Sequence, residues 1–251
     1  MERTLYKTSN SSLSIVRKAE QSTFELNKFD ELKRIKEISN IVPEYEGIAS
    51  LEGSNVVSGK QTVRRDDVSG DLSNAAAVRA TGSTKRELLF SSGVFTLEKG
   101  RHISSKDKGK VLVHKKFADR NKLKLHDKVK LKFLKTDGST SSSGETQTLE
   151  IVGIFSGKMQ EQHTGLPSDL SENTMFADYE SSQKGLGYEG GNRVVNKVTV
   201  TASSPEKLET VEKKIKKLDE ESEILGKFIP KGSHIPNTAK LKGLRLYFPS
   251  F

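Results

Sequence analysis

The stretch Val111–Leu134, VLVHKKFADRNKLKLHDKVKLKFL, decides how the chain is read. Val111–Val113 is a run of β-formers, long enough for a buried strand and too short for a helix. Lys115–Leu123 sets Phe117 and Ala118 among polar residues, which predicts about two turns of surface helix. Beyond Asp127, Lys128, Lys130 and Lys132 alternate with Val129, Leu131 and Phe133. A strand there sends three lysines to one face and three apolar side chains to the other.

The same region holds the charge. Between Lys106 and Lys135 eleven lysines and one arginine stand against three aspartates, an excess equal to the net +9 of the whole 251-residue chain. A patch this concentrated points to an acidic partner, a polyanion or an anionic membrane surface. The plainer alternative is a solvated edge whose lysines discourage strand-to-strand aggregation.

Composition excludes several chemistries. The chain has no cysteine, which removes disulfides, thiolate nucleophiles and cysteine metal sites. Its five histidines, His102, His114, His126, His163 and His234, include no pair spaced to share a helix face, so no metal is expected. There is no G-x-S-x-G, no P-loop and no paired His/carboxylate motif, so no catalytic residue and no cofactor is assigned, and the isolated chain is expected neither to bind nor to hydrolyse ATP. With a mean hydropathy of −0.58 and no apolar run near the ~18 residues a span needs, no membrane segment or signal sequence is expected within it.

Outward from the central stretch, Ser12–Arg17 alternates as a first strand. Asn27 predicts the N-cap of a helix through Ser39 with the stripe Phe29, Leu32, Ile35 and Ile38, closed by Asn40 and Pro43. Tyr45–Leu51 with Val56–Val57 reads as a returning strand or hairpin interrupted by Gly47 and Gly53, and Ser58–Ala76 as a loop or long hairpin arm. Asp137–Thr146 reads as a hairpin tip or a disordered loop, and Leu149–Phe155 as a strand buried on both sides. Gly185, Gly187 and Gly190 match G-x-G-x-x-G, but they precede the strand-like Val194–Ala202 instead of opening a helix, and are read as a linker. Ser204-Pro205-Glu206 supplies an N-cap, a first-turn proline and an acid to a helix with the stripe Leu208, Val211, Ile215 and Leu218. Lys213, Lys214, Lys216 and Lys217 are placed at its C-terminal end. Two strand-helix units of this kind predict an α+β fold.

The succession GVFTLEKGRHISSKDKGKVLVHKKFADRNKLKLHDKVKLKF, LEIVGIFSG, ENTMFADYES and NKVTVTASSPEKLETVEKKI resembles the extracytoplasmic core domain of MacB/FtsX-type ABC transporter permeases, in flavour the Vex-type permeases of Gram-positive bacteria. It covers roughly Leu13 to Leu218. The resemblance implies a porter-like α+β lobe from both chain ends and an inserted, mostly-β sabre-like lobe. Linker compositions place these at 1–104 with 191–251 and at 105–190, joined by connections near Ser104–Gly109 and Gly185–Gly191 that allow them to move. The family carries glycine before the aspartate of its "L-K-V-G-D" turn. Here that residue is His126, which speaks against a tight positive-φ turn. The tail Lys240–Phe251 matches nothing in the family pattern.

The resemblance further implies a cell-membrane protein with this domain outside, periplasmic or extracellular, and no chemistry of its own. Its partners would be a cytosolic ATP-binding subunit, a second permease subunit, and a membrane-fusion adaptor or cell-wall hydrolase. Lys128, Lys130 and Lys132 are the candidate partner-binding residues. The alternative is a basic nucleic-acid-binding module on the same strand, against which the near absence of arginine counts. A scaffold for peptide capture is not separated from the transporter reading by the sequence.

Overall fold

The computed structural model describes residues 3–9, 11–17, 24–59, 63, 65, 67–68, 70–135, 142–188, 193–222 and 228–230. The strands are β1 (Arg3–Ser9), β2 (Ser12–Arg17), β3 (Phe24–Glu25), β4 (Ile38–Glu52), β5 (Ala75–Thr81), β6 (Phe95–Gly100), β7 (Lys110–His114), β8 (Lys128–Lys135), β9 (Ser142–Gly157), β10 (Thr174–Asp178), β11 (Val194–Val195), β12 (Lys197–Ala202) and β13 (Phe228–Pro230). The α-helices are α1 (Leu88–Ser91), α2 (Lys115–Asn121), α3 (Tyr179–Gly185) and α4 (Leu208–Ser222). The fold is α+β, with two compact units: Met1–Ile41 with Val195–Phe251, and Val42–Val194.

In the first unit the strands run in the order β13-β1-β2-β12, followed by the start of β4. Ile15 faces Val198 and Leu13 faces Val200 across β2 and β12, all four buried, and α4 packs on these two strands with Leu208, Val211 and Ile215 buried. On the other face Ser12 and Thr201, and Ser14 and Thr199, share hydroxyl hydrogen bonds of 3.2 and 3.3 Å.

The helix predicted from Asn27 to Ser39 is instead a 3-10 helix over Leu26–Arg34, and Ile38 already opens β4. The apolar residues recur every third position, which is the period of a 3-10 helix and not the 3.6 of an α-helix. Phe29, Leu32 and Ile35 are indeed the buried ones. Pro43 and Gly47 lie inside β4 and do not break it. At the other helix Ser204 and Pro205 occupy the predicted positions, but the first turn is 3-10 and Ser204 makes no side-chain cap. Its hydroxyl bonds the Glu206 carboxylate instead and holds that group below its ordinary range. Because α4 runs on to Ser222, its lysines sit mid-helix, where Lys213 pairs with Glu209 at 2.7 Å and Lys216 with Glu212 at 2.6 Å.

In the second unit the strand pairing returns to its starting point: β4-β5-β10-β7-β9-β8 and back to β4, with β6 added along the end of β9. Six strands therefore close on themselves, which leaves no free edge among them. The side chains that face inward include Ala49, Ala80, Val111, Leu131, Phe133 and Met175, each at most 1% exposed. The outward face of β7, β9 and β10 carries a second core of Phe95, Ile103, Leu112, Phe155 and Phe176, with Phe90 of α1 4.8 Å from the Phe176 ring. These two layers explain why Leu149–Phe155 is buried on both sides.

The unit boundaries at 41/42 and 194/195 differ from the composition-based lobe boundaries at 104/105 and 190/191. The reason lies in the pairing: β4 and β5, upstream of residue 105, pair directly with β8 and β10 downstream of it. Nor does Ser104–Gly109 run loose. Asp107 accepts from Ser104 N and Oγ and from both terminal nitrogens of Arg101, and this holds its carboxyl well below the usual range. Gly185 ends α3 and Gly187, at φ 75°, is its C′ residue. Tyr188 N bonds Gln183 O at 2.8 Å and Gly187 N bonds Lys184 O at 3.0 Å, the two bonds of a Schellman motif. These two glycines close a helix and are not a linker; Gly190, Asp137 and the tail lie outside the described residues.

Candidate partner-binding surface

The strand that carries the lysines is set by the turn before it. Asp127 N bonds Lys124 O at 3.2 Å, and the Asp127 carboxylate accepts Lys124 N at 2.8 Å. His126 takes φ 74° as the third residue of this turn, so the positive-φ turn is kept without glycine. The strain is opposed by two backbone bonds to β9, His126 N to Ile151 O at 2.9 Å and Ile151 N to Asp127 O at 2.8 Å. His126 Nδ1 lies 2.8 Å from Glu150 Oε1.

From there the expected alternation holds along β8. Val129, Leu131 and Phe133 are buried at 1% or less, and Lys128 and Lys130 are exposed. Among the described residues neither of these two lysines makes an ion pair. Lys132 differs from them: it is half-buried, and its Nζ lies 3.0 Å from Asp71 Oδ2.

Residues directly opposite in register share a face. Lys128 stands opposite Glu150, Lys130 between Thr148 and Glu52, and Lys132 between Thr146 and Ser50. Thr146 Oγ1 donates to Glu52 Oε1 at 2.7 Å. The face is therefore lysine-rich but interleaved with Glu52 and Glu150 and bordered by Asp71. Sequence reasoning missed these acids because they come from β4, β9 and the turn before β5, and only the strand pairing brings them alongside β8.

Glu150 is the most heavily engaged of them. Lys110 Nζ and His126 Nδ1 both bond its carboxylate and push it down to about 2. Through these two contacts it ties β7 and the turn before β8 to β9. Among the described residues no three His, Asp or Glu side chains converge as metal ligands. His114 is buried and already occupied: Nδ1 accepts Lys116 N at 3.1 Å and Nε2 donates to Gly157 O at 3.1 Å.

The described residues thus form a closed β unit with a charged, mixed-sign strand face and a separate α+β unit. The sequence profile of the MacB-like periplasmic core domain matches residues 3–218, and the chain belongs to this family. The family consists of extracytoplasmic domains of ABC transporter permeases and is not a catalytic one. Among solved structures, the periplasmic region of MacB from Actinobacillus actinomycetemcomitans is similar at 14% identity, with 85% of this chain and 84% of that one covered and a TM-score of 0.50. The extracellular domain of the noncanonic ABC-type transporter YknZ from Gram-positive bacteria aligns at 12% identity over 79% of this chain and 84% of that one, with a TM-score of 0.47. At these identities the likeness is one of fold. No curated protein matches the chain. No helix among the described residues is long and apolar enough to cross a membrane.

Proposed function

We propose that this domain stands on the outer side of the membrane, docks partner proteins, and passes on to them the movement that ATP binding and hydrolysis by a cytosolic subunit produce in the permease helices. The observation that supports this most is the family match, which extends from the first strand through α4 and so includes both compact units. The partners are a second permease subunit and either an adaptor of the membrane-fusion type or a cell-wall hydrolase. In this reading the first unit is the porter-like lobe, next to the membrane, and the second carries the sabre-like docking surface.

Lys128 and Lys130, exposed and without ion pairs among the described residues, are the part of the surface that meets an acidic protein patch, and Lys132 joins them only when it leaves Asp71. Exposed charges act over about 8–10 Å at physiological salt, so the face governs encounter more than final affinity. Glu52 and Glu150 argue for a protein partner and against nucleic acid. A continuous polyanion laid on this face meets two carboxylates, whereas a protein can place its own cations there.

The test is site-specific crosslinking in the assembled permease. A photoreactive residue in place of Lys130 is expected to capture the adaptor or hydrolase in an ATP-dependent pattern. Capture that ignores nucleotide, with a strong yield from a residue on the far side of the second unit, contradicts the proposal.

A further inference from the structure

Between β4 and the described turn before β5, the segment Ser54–Val57 belongs to no helix or strand. Three asparagine side chains hold it instead. Asn121 accepts Asn55 N at 2.8 Å and donates to Asn55 O at 2.9 Å, and Asn173 does the same for Val57 at 2.7 and 2.9 Å. Asn74 accepts Val56 N at 2.9 Å and donates to Ser54 O at 2.8 Å. Each amide presents one acceptor and one donor, and so imitates a neighbouring strand. All six bonds go to main chain, so the hold does not read the side chains of the segment.

Asn74 closes the 3-10 turn Gly70–Asn74, and Asp71 of that turn is the residue that engages Lys132. Glu52, three residues from Asn55, faces Lys130. The clamp therefore ties the turn that carries Asp71 to Ser54–Val57, whereas Glu52 is held by the β4–β8 pairing itself.

We infer that Ser54–Val57 and the turn Gly70–Asn74 form a releasable strap that masks Lys132, and with it part of the docking face, until an acidic protein surface replaces Asp71. This rests on the docking reading above. The strap suits release because its attachment is polar and side-chain mediated, whereas the closed strands are held by continuous backbone pairing. The incoming carboxylates substitute for Asp71 at little loss, since an ion pair left half-exposed contributes little to stability.

The experiment uses the full chain with polyglutamate as an acidic-protein probe and hydrogen exchange as a second readout. Asn121→Ala is expected to speed exchange at residues 54–57 about tenfold without changing that of β8. Asn121→Ala and Asp71→Asn are both expected to tighten polyglutamate binding about two- to fivefold, and Lys132→Gln to remove that gain. If parent binding falls on Lys128→Glu with Lys130→Glu while Asp71→Asn and Asn121→Ala bind as the parent does, the face docks acids but the strap does not mask it, and the inference is overturned. If Lys128→Glu with Lys130→Glu leaves polyglutamate binding unchanged, the docking reading itself is wrong and the mask with it.

Discussion

His126, in the turn before β8, is bound to Glu150 of β9, Nδ1 to Oε1 at 2.8 Å, with His126 in a left-handed backbone conformation at φ 74°. The side chain that burdens the turn is thus also one of the two hydrogen-bond partners of the Glu150 carboxylate, with Lys110.

Left-handed geometry costs an L-residue about 1–2 kcal/mol, and a hydrogen bond between largely exposed side chains returns little of it. His126→Gly is therefore expected to raise stability slightly, by about 0.5–1 kcal/mol, read from the urea midpoint at pH 7. A lower midpoint means that the contact with Glu150 outweighs the strain.

The parts of the molecule legible in the sequence were those fixed locally. The Lys/apolar alternation of residues 128–133 fixes a half-buried strand, and the run Val111–Val113 fixes a buried one. What escaped depends on period or partner. Phe29, Leu32, Ile35 and Ile38 look like a helix stripe unless the strict spacing of three is weighed. The closure of β8 onto β4 joins residues some eighty positions apart, so nothing near Lys132 announces Asp71, Glu52 or Ser50 as its neighbours. His126 misleads because the strain is compensated by backbone bonds to Ile151, which no local reading contains.

Burial lowers the His114 pKa from its ordinary value, against smaller opposing effects of Gly157 O, Glu172 and Asp119, while Lys116 adds to the lowering. Between the folded pKa and about 6.5, the unfolded chain holds more protons than the folded one, so stability rises with pH there and falls on acidification below about 6.5. His114→Asn keeps a helix-capping side chain for α2 but removes this titration. The loss of urea resistance between pH 7.5 and 5.5 is expected to be smaller in that variant than in the parent; an equal loss in both places the pH response elsewhere.

At Gly185 a Cβ stands 2.4 Å from Phe133 Cδ2 and 3.1 Å from Gln147 Cγ. Phe133 is buried inside the closed strands and has nowhere to retreat. Gly185→Ala gains up to about 1 kcal/mol of helix propensity and loses about 1–3 kcal/mol to overpacking, so the melting temperature is expected to fall. An unchanged or higher melting temperature means that α3 shifts away from Phe133 freely.

The central claim, that the β8 lysine face brings an acidic partner protein to an extracytoplasmic permease domain, is tested most directly by association rates measured against ionic strength. The cognate adaptor is mixed with the parent and with Lys128→Glu/Lys130→Glu, a variant that leaves the buried residues of β8 and the Lys132–Asp71 pair in place. The parent is predicted to associate more slowly as salt rises, and the variant to associate slowly at all salt concentrations while staying folded with a slightly lower melting temperature, since each change sets a like charge opposite Glu150 or Glu52. Equal rates and equal salt dependence for the two proteins contradict the account and leave the lysines as a solvated strand face.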